Sequence, residues 1–156
     1  MTKLTHQCSN NMFTHECFIR RTDDEIIKKL EGIGHYWFSK SYDRYDAIAV
    51  IDVFYNKGER VKLDKPYLQL RLDVTETYLT ARSIDCGENI DLFIAVASLR
   101  GDSDINQLIT DGIKWVKSEV NDIREIKGYL EAIGFDWIKT HKASVVELID
   151  YFKNKK

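Results

Sequence analysis

Two short stretches near the start of the chain hold the residue types that bind metals. Thr5-His6-Gln7-Cys8 and Thr14-His15-Glu16-Cys17 offer two imidazoles and two thiols, the ligand count of a tetrahedral zinc site. The spacing argues the other way. One intervening residue puts both side chains of each pair on one face of a strand, whereas structural zinc sites usually separate ligands by about two to four residues. A site made of a polar extension also lacks the packed surroundings that orient metal ligands. We therefore expect no bound metal and no cofactor, with His6 and Cys8 in a loose leader and Cys17 half-buried on the first strand. Asp102-Ser103-Asp104-Ile105-Asn106 opens like a calcium loop. Its sixth position, which requires glycine, is Gln107, and its twelfth, which requires a bidentate glutamate, is Ile113. The stretch reads instead as a turn lined by aspartates, after a helix capped by Gly101.

Nucleophilic chemistry finds equally little support. Cys86-Gly87 precedes a helix, whose dipole can lower a thiol pKa, but the spacing brings neither His35 nor His141 to it as a base. Asp43, Asp46, Asp52 and Glu59 are carboxylates of the kind a metal nuclease uses. None of these four is followed by a lysine at Glu-x-Lys spacing, since Glu59-Arg60-Val61-Lys62 is one residue too long. Gly32-Ile33-Gly34 falls at a helix end, whereas a phosphate cradle needs a helix start. No catalytic residue is assigned. The stronger signal is aromatic. Tyr36, Trp37, Phe38, Tyr42, Tyr45, Phe54 and Tyr55 interleave with Lys40, Arg44 and Lys57. Such a set can stack single-stranded bases or anchor a protein partner. Alternation along a strand turns about half of these side chains inward, and Asp43 and Asp46 dilute the positive field. Trp37, Tyr42, Arg44 and Tyr45 are the candidate binding residues.

These side chains need a scaffold. Residues 16–20 read as a short strand. Thr22-Asp23-Asp24-Glu25 is a capping box for a helix that carries Ile26, Ile27, Leu30 and Ile33 on one face and stops at Gly34. Residues 35–40, 47–54, 67–72 and 75–82 have strand patterns, with Asn56-Lys57-Gly58-Glu59 as a turn. Residues 89–100 are apolar nearly all round, so that helix should be buried at the centre of the core. Residues 106–110 and 113–117 flank Asp111-Gly112, a favoured two-residue hairpin turn. Another helix over 122–133 should turn Ile123, Ile126, Leu130 and Ile133 inward, with Gly134 as its cap. Ser144 and Glu147 form a second capping box, and Val145, Leu148, Ile149 and Phe152 share one face of the last helix. Leu30-Glu31-Gly32-Ile33-Gly34-His35-Tyr36-Trp37 matches Leu130-Glu131-Ala132-Ile133-Gly134-Phe135-Asp136-Trp137 at five of eight positions. Flanking residues do not align, which favours a recurring helix-end junction over a duplicated half-domain.

The pattern predicts an α+β single domain, a mostly antiparallel sheet packed with about four helices, over residues 12–156, with residues 1–11 as a polar flexible leader. The chain has 156 residues, 44% hydrophobic and 31% charged, with a net charge of -2. That composition excludes wholesale disorder, collagen and coiled-coil rods, and its balanced charge gives no strong pull on nucleic acid. No apolar run reaches the roughly 18–20 residues of a membrane span, and the start of the chain lacks a signal-peptide core. A cytoplasmic address with reduced thiols is the expectation, the three cysteines being an odd number.

Residues 84–107, from Ile84-Asp85-Cys86-Gly87-Glu88-Asn89 through the apolar helix to Asp102-Ser103-Asp104-Ile105-Asn106-Gln107, resemble uncharacterised small proteins of Bacteroidetes phage and mobile-element regions. Phe18-Ile19-Arg20 and the helix ending in Leu-Glu-x-Ile-Gly are similar too. The resemblance covers roughly residues 18–115 and carries no catalytic residues; it implies a phage or mobile-element context. The expected function is that of a small non-catalytic accessory protein that binds another protein, without a membrane. Nucleic-acid binding through the aromatic and basic sheet face is the alternative, and a metal- or thiol-dependent enzyme the third reading.

Overall fold

The computed structural model describes residues 13–37, 47–72, 79 and 81–154. The fold is α+β, with two mostly antiparallel sheets and, among the described residues, four α-helices. Helix α1 (Asp24–Gly32) starts differently from the expected capping box. Asp23 is its N-cap and accepts a hydrogen bond from the Glu25 N–H at 2.8 Å. The Thr22 hydroxyl instead donates to the Pro66 carbonyl at 3.1 Å. The helix buries Ile26, Ile27 and Leu30.

The first sheet has five strands: β1 (Cys17–Ile19), β2 (Tyr36–Trp37), β3 (Ala47–Asn56), β4 (Glu59–Arg71) and β5 (Ile84–Asp85), in the order β2-β3-β4-β1-β5. The pairs β2–β3 and β1–β5 are parallel. Lys57 and Gly58 join β3 to β4 with φ of 53° and 86°, the two left-handed residues of a tight hairpin turn. Register slips between Ile51↔Tyr67 and Val53↔Lys62, and Pro66 falls inside the slip, where its missing N–H breaks no regular ladder.

One face of this sheet (Cys17, Ile19, Ile48, Leu68, Leu70) is buried in the main core. The other is covered as well. The alternating residue types of 67–72 predict one face in and one out, but Gln69 and Arg71 are as buried as Leu68 and Leu70. Part of the polar surface on that face is partnered. Gln69 donates to the Ser83 hydroxyl at 2.6 Å, and the buried Glu16 carboxylate accepts from the Leu72 N–H at 3.1 Å and faces Arg82. The strand expected over 75–82 lies largely outside the described residues; residues 81 and 82 form a turn.

Helix α2 (Ile90–Ala97) is capped by Asn89, which accepts from the Leu92 N–H at 3.0 Å. It buries Leu92, Phe93, Val96 and Ala97, as its composition required. It ends earlier than residue 100, and Gly101 is not its cap. Ser98 closes it, its hydroxyl donating to the Ile94 carbonyl at 2.7 Å, while the Gln107 amide takes the Ser98 carbonyl.

The second sheet is β7-β6-β8, all antiparallel: β6 (Leu108–Thr110), β7 (Trp115–Lys117) and β8 (His141–Lys142). The connection after β6 is a four-residue loop, since Thr110 pairs with Trp115. The expected two-residue turn is displaced by the Asp111 carboxylate, which accepts from the N–H groups of Ile113 and Lys114 at 2.9 and 2.8 Å.

The helix expected over 122–133 is split into a 3-10 turn (Ile123–Ile126) and helix α3 (Lys127–Ala132). Only Leu130 is buried; Ile133 is exposed. The spacing of the four apolar residues makes one face only if the helix is continuous, and the tighter 3-10 period breaks it. A second 3-10 turn (Trp137–Lys139) leads to β8 and helix α4 (Val145–Asn154). Here the capping box forms as expected. Ser144 Oγ accepts from the Glu147 N–H at 3.2 Å, and Glu147 Oε1 accepts from the Ser144 N–H at 2.9 Å. Leu148 is buried, and Val145, Ile149 and Phe152 pack on the main core.

The repeated octapeptide turns out to be a cap. After α1, the N–H of His35 bonds to the Leu30 carbonyl at 3.0 Å and that of Gly34 to Glu31 at 3.1 Å; after α3, Phe135 bonds to Leu130 at 2.9 Å and Gly134 to Glu131 at 3.1 Å. Gly34 and Gly134 have φ of 107° and 101°. This is the same Schellman closure twice, and the chain then leaves it as strand β2 in one case and as a 3-10 turn in the other.

Candidate binding surface

Strand β2 stands at one end of the five-stranded sheet, and its register assigns each aromatic to a face. Trp37 pairs with Ile48 and so shares a face with Ile48 and Val50; Tyr36 pairs with Ala47 and projects to the other side. Ile48 is fully buried, whereas Val50, one pleat along, is 45% exposed and Trp37 43%. Leu68, directly across from Val50, is fully buried, so the cover over this face thins towards the β2 margin of the sheet. Trp37 and Val50 sit at that margin as an apolar pair open to solvent. Tyr42, Arg44 and Tyr45, with Phe38, Lys40, Asp43 and Asp46, lie outside the described residues.

Beyond the register slip, β3 and β4 continue as a ribbon. Phe54 and Val61 face each other on one side of it, while Val53 and Tyr55 share the other side with Lys62 and Arg60. Asp52 lies 3.4 Å from Lys62, and Glu59 is at the turn opposite Asn56. Of the carboxylates proposed for a nuclease, the two described ones, Asp52 and Glu59, are thus separated along the ribbon.

The thiol candidate is placed in the core. Cys17, on β1, and Cys86, just past the neighbouring parallel strand β5, are both buried. Burial pushes the Cys17 thiol well above its ordinary value, and the Cys86 thiol and the Glu16 charge push it further. A reactive thiolate needs the opposite environment. Of the proposed bases, His35 is buried with Nε2 at 2.9 Å from the Ala97 carbonyl, its ring centre 3.8 Å from that of Phe13. His141 bridges the Lys139 carbonyl at 2.7 Å and the Glu147 carboxylate at 2.9 Å. The Lys139 carbonyl, followed by Glu147, raises its pKa. His15 Nδ1 is 2.8 Å from the Thr14 hydroxyl, and burial lowers its pKa. Cys17 is deeper than the half-burial expected, and His6 and Cys8 are outside the described residues. No group of three His, Cys, Asp or Glu side chains suited to a metal occurs among the described residues.

The acidic turn is engaged internally. Asp102 pairs with Arg100 at 2.7 Å. Asp104 accepts from the Ile123 N–H at 2.7 Å and faces Lys142 at 3.4 Å. A cavity of about 420 Å³ lined by Thr14, His15, Arg100, Gln107 and Lys142 lies beside it. Its two permanent cations are the ones already paired with Asp102 and Asp104.

The sequence reading missed Asp111. Besides its two loop contacts, its second oxygen accepts from the Asp136 N–H at 2.9 Å. The N–H of Asp136, followed by those of Lys114 and Ile113, brings its pKa down to about 2. The Asp-Gly pair signals a turn, but nothing local signals the bond to Asp136, which is remote in sequence.

No protein-family model, curated protein or solved structure matches this chain. No helix among the described residues is long and apolar enough to cross a membrane.

Proposed function

We propose that this chain is a small non-catalytic accessory protein that binds another protein at the β2 end of the five-stranded sheet. The observation that carries this reading is the exposed apolar pair of Trp37 and Val50 on one face, at the margin of the buried core. A rigid indole beside an aliphatic side chain is the composition of an interface anchor. The likeness to small phage and mobile-element proteins belongs to this reading and suits an accessory role. Nucleic-acid binding is the second reading. It is favoured by Tyr55, Arg60 and Lys62 sharing one side of the ribbon. An enzyme using a thiol has the least support, because both described thiols are buried.

The test is capture from host lysate with the full chain and with Trp37→Ala/Val50→Ser. Each side chain is about half covered, so the variant should lose on the order of 1–3 kcal/mol; with its melting curve showing it folded at the assay temperature, the captured protein should be lost. Unchanged capture by the variant would refute the site. Tight binding of random oligonucleotides with a steep salt dependence, abolished by Arg60→Ala/Lys62→Ala, would transfer the function to nucleic acid.

A further inference from the structure

Cys17 and Cys86 are remote in sequence and adjacent in the fold. Cys17 pairs with Ile84 across the parallel β1–β5 ladder. The Cys86 N–H donates to the Phe18 carbonyl at 2.9 Å, which carries that register one residue past β5 and sets Cys86 level with Ile19. Alternation then puts both cysteines on the core face of the sheet, where each is buried. The Cys86 Sγ lies 3.9 Å from the Ile84 carbonyl, so its side chain leans back along the chain towards the level of Cys17. The two thiols meet there in a hydrogen bond.

We propose that Cys17 and Cys86 are an oxidative cross-linking pair, which a hydroperoxide converts into one intramolecular disulfide that staples β1 to the approach of α2 without disturbing the fold. One sulfur, as its thiolate, attacks a peroxide oxygen. The O–O bond breaks, the leaving hydroxide takes up the proton that the thiol gave, and a sulfenic acid remains. The second sulfur loses its own proton, displaces the sulfenic hydroxide and forms the S–S bond, yielding a second water. Two thiols and one hydrogen peroxide thus give one disulfide and two waters, the sulfurs being oxidised and the peroxide oxygens reduced. In the closed fold burial holds Cys17 as a thiol, which suits neither a nucleophilic enzyme nor rapid oxidation. The reaction therefore follows opening of β5, a two-residue strand of the kind that parts locally at a fraction of the cost of unfolding. On reclosing, the fold sets the two sulfurs side by side and selects their pairing. The bond closes a loop of about 70 residues, which restricts the unfolded chain.

Peptide mapping without reduction tests the proposal on the full chain, with hydrogen peroxide as the probe. The chain is treated either folded or in urea, and remaining thiols are alkylated before digestion. Folded, the Cys17–Cys86 link should exceed any link to Cys8, the remaining cysteine, at least several-fold. In urea the order should reverse in favour of Cys8–Cys17, which closes the shortest loop. The oxidised Cys8→Ser chain should melt several degrees above its reduced form, and a thiol reductant should return it to the lower value. Links to Cys8 that dominate in the folded chain would overturn the proposal. So would Cys17 and Cys86 that stay free or pass to sulfinic acid unlinked, or a linked chain that melts no higher than the reduced one.

Discussion

The two Schellman closures form a controlled pair for one prediction. Gly34 and Gly134 have nearly the same backbone, φ of 107° and 101°, and differ in what a methyl group would meet. An alanine in a left-handed conformation costs about 1–2 kcal/mol. Restriction of the unfolded chain returns about 0.4–1 kcal/mol. At Gly134 the nearest atom to an added Cβ is Lys114 Cε at 2.8 Å, the far end of a flexible side chain that can swing away. Gly134→Ala should therefore cost on the order of 1 kcal/mol. At Gly34 the nearest atom is Phe13 Cζ at 3.3 Å. Phe13 is buried, with the His35 ring at 3.8 Å and the Arg100 guanidinium at 5.4 Å, so it cannot yield freely. Overpacking adds about 1–3 kcal/mol, and Gly34→Ala should cost about 2–4 kcal/mol in all. Urea denaturation of the two variants, with equal m-values, measures the difference. A Gly134→Ala cost equal to or above that of Gly34→Ala would refute the reasoning, because the closures would then differ in backbone and not in surroundings.

Phe93→Ala, in the fully buried centre of α2, should cost about 3–5 kcal/mol and lower Tm by roughly 6–20 °C; Val146→Ala on the exposed side of α4 should change stability by about 0.5 kcal/mol or less. The His141–Glu147 contact predicts a bounded pH window. The raised His141 pKa gives stability that is complete below its ordinary value of 6.5 and disappears as pH rises through the higher folded value. Burial opposes the Glu147 charge, yet the Ser144 N–H and His141 hold its pKa below 4.5, so its contribution is complete above 4.5 and falls away as pH drops through the folded value. In a Tm–pH series His141→Ala should flatten the alkaline side of the profile, and an identical alkaline limb in native and variant chains would exclude the contact as its cause.

What could be read from the chain was what neighbours in sequence decide. Ser144 and Glu147 make their capping box because both partners lie within one turn. Gly34 and Gly134 end helices because the required φ is a property of the residue itself. Helix α2 is buried because its sequence leaves it almost no polar face. Misplaced features depended on distant partners. The cap sits on Asp23 and not on Thr22, whose hydroxyl bonds instead to the Pro66 carbonyl far along the chain. Residues 67–72 alternate in type but not in burial, and Glu16 and Ser83, from elsewhere in the chain, partner part of the second face.

Ile133 and Ile138 show where composition stops being informative. Ile123, Ile126, Leu130 and Ile133 have the spacing of a buried stripe, yet the 3-10 turn at Ile123–Ile126 interrupts the helix and leaves Leu130 as its only buried member. Isoleucine carries the same hydrophobic cost in water wherever it lies, about 1.5–3 kcal/mol for a fully buried side chain, so its type cannot say whether its own fold covers it. Asp111 supplies another determinant. By holding the N–H groups of Ile113 and Asp136 on one carboxylate, it fixes two loops at the end of the second sheet, where Ile113 and Ile138 are exposed. Trp37 and Val50 are exposed for a different reason, the thinning of the core cover towards the β2 margin beside a fully buried Ile48. Apolar exposure is therefore set in one place by where packing runs out and in the other by where a carboxylate braces the backbone.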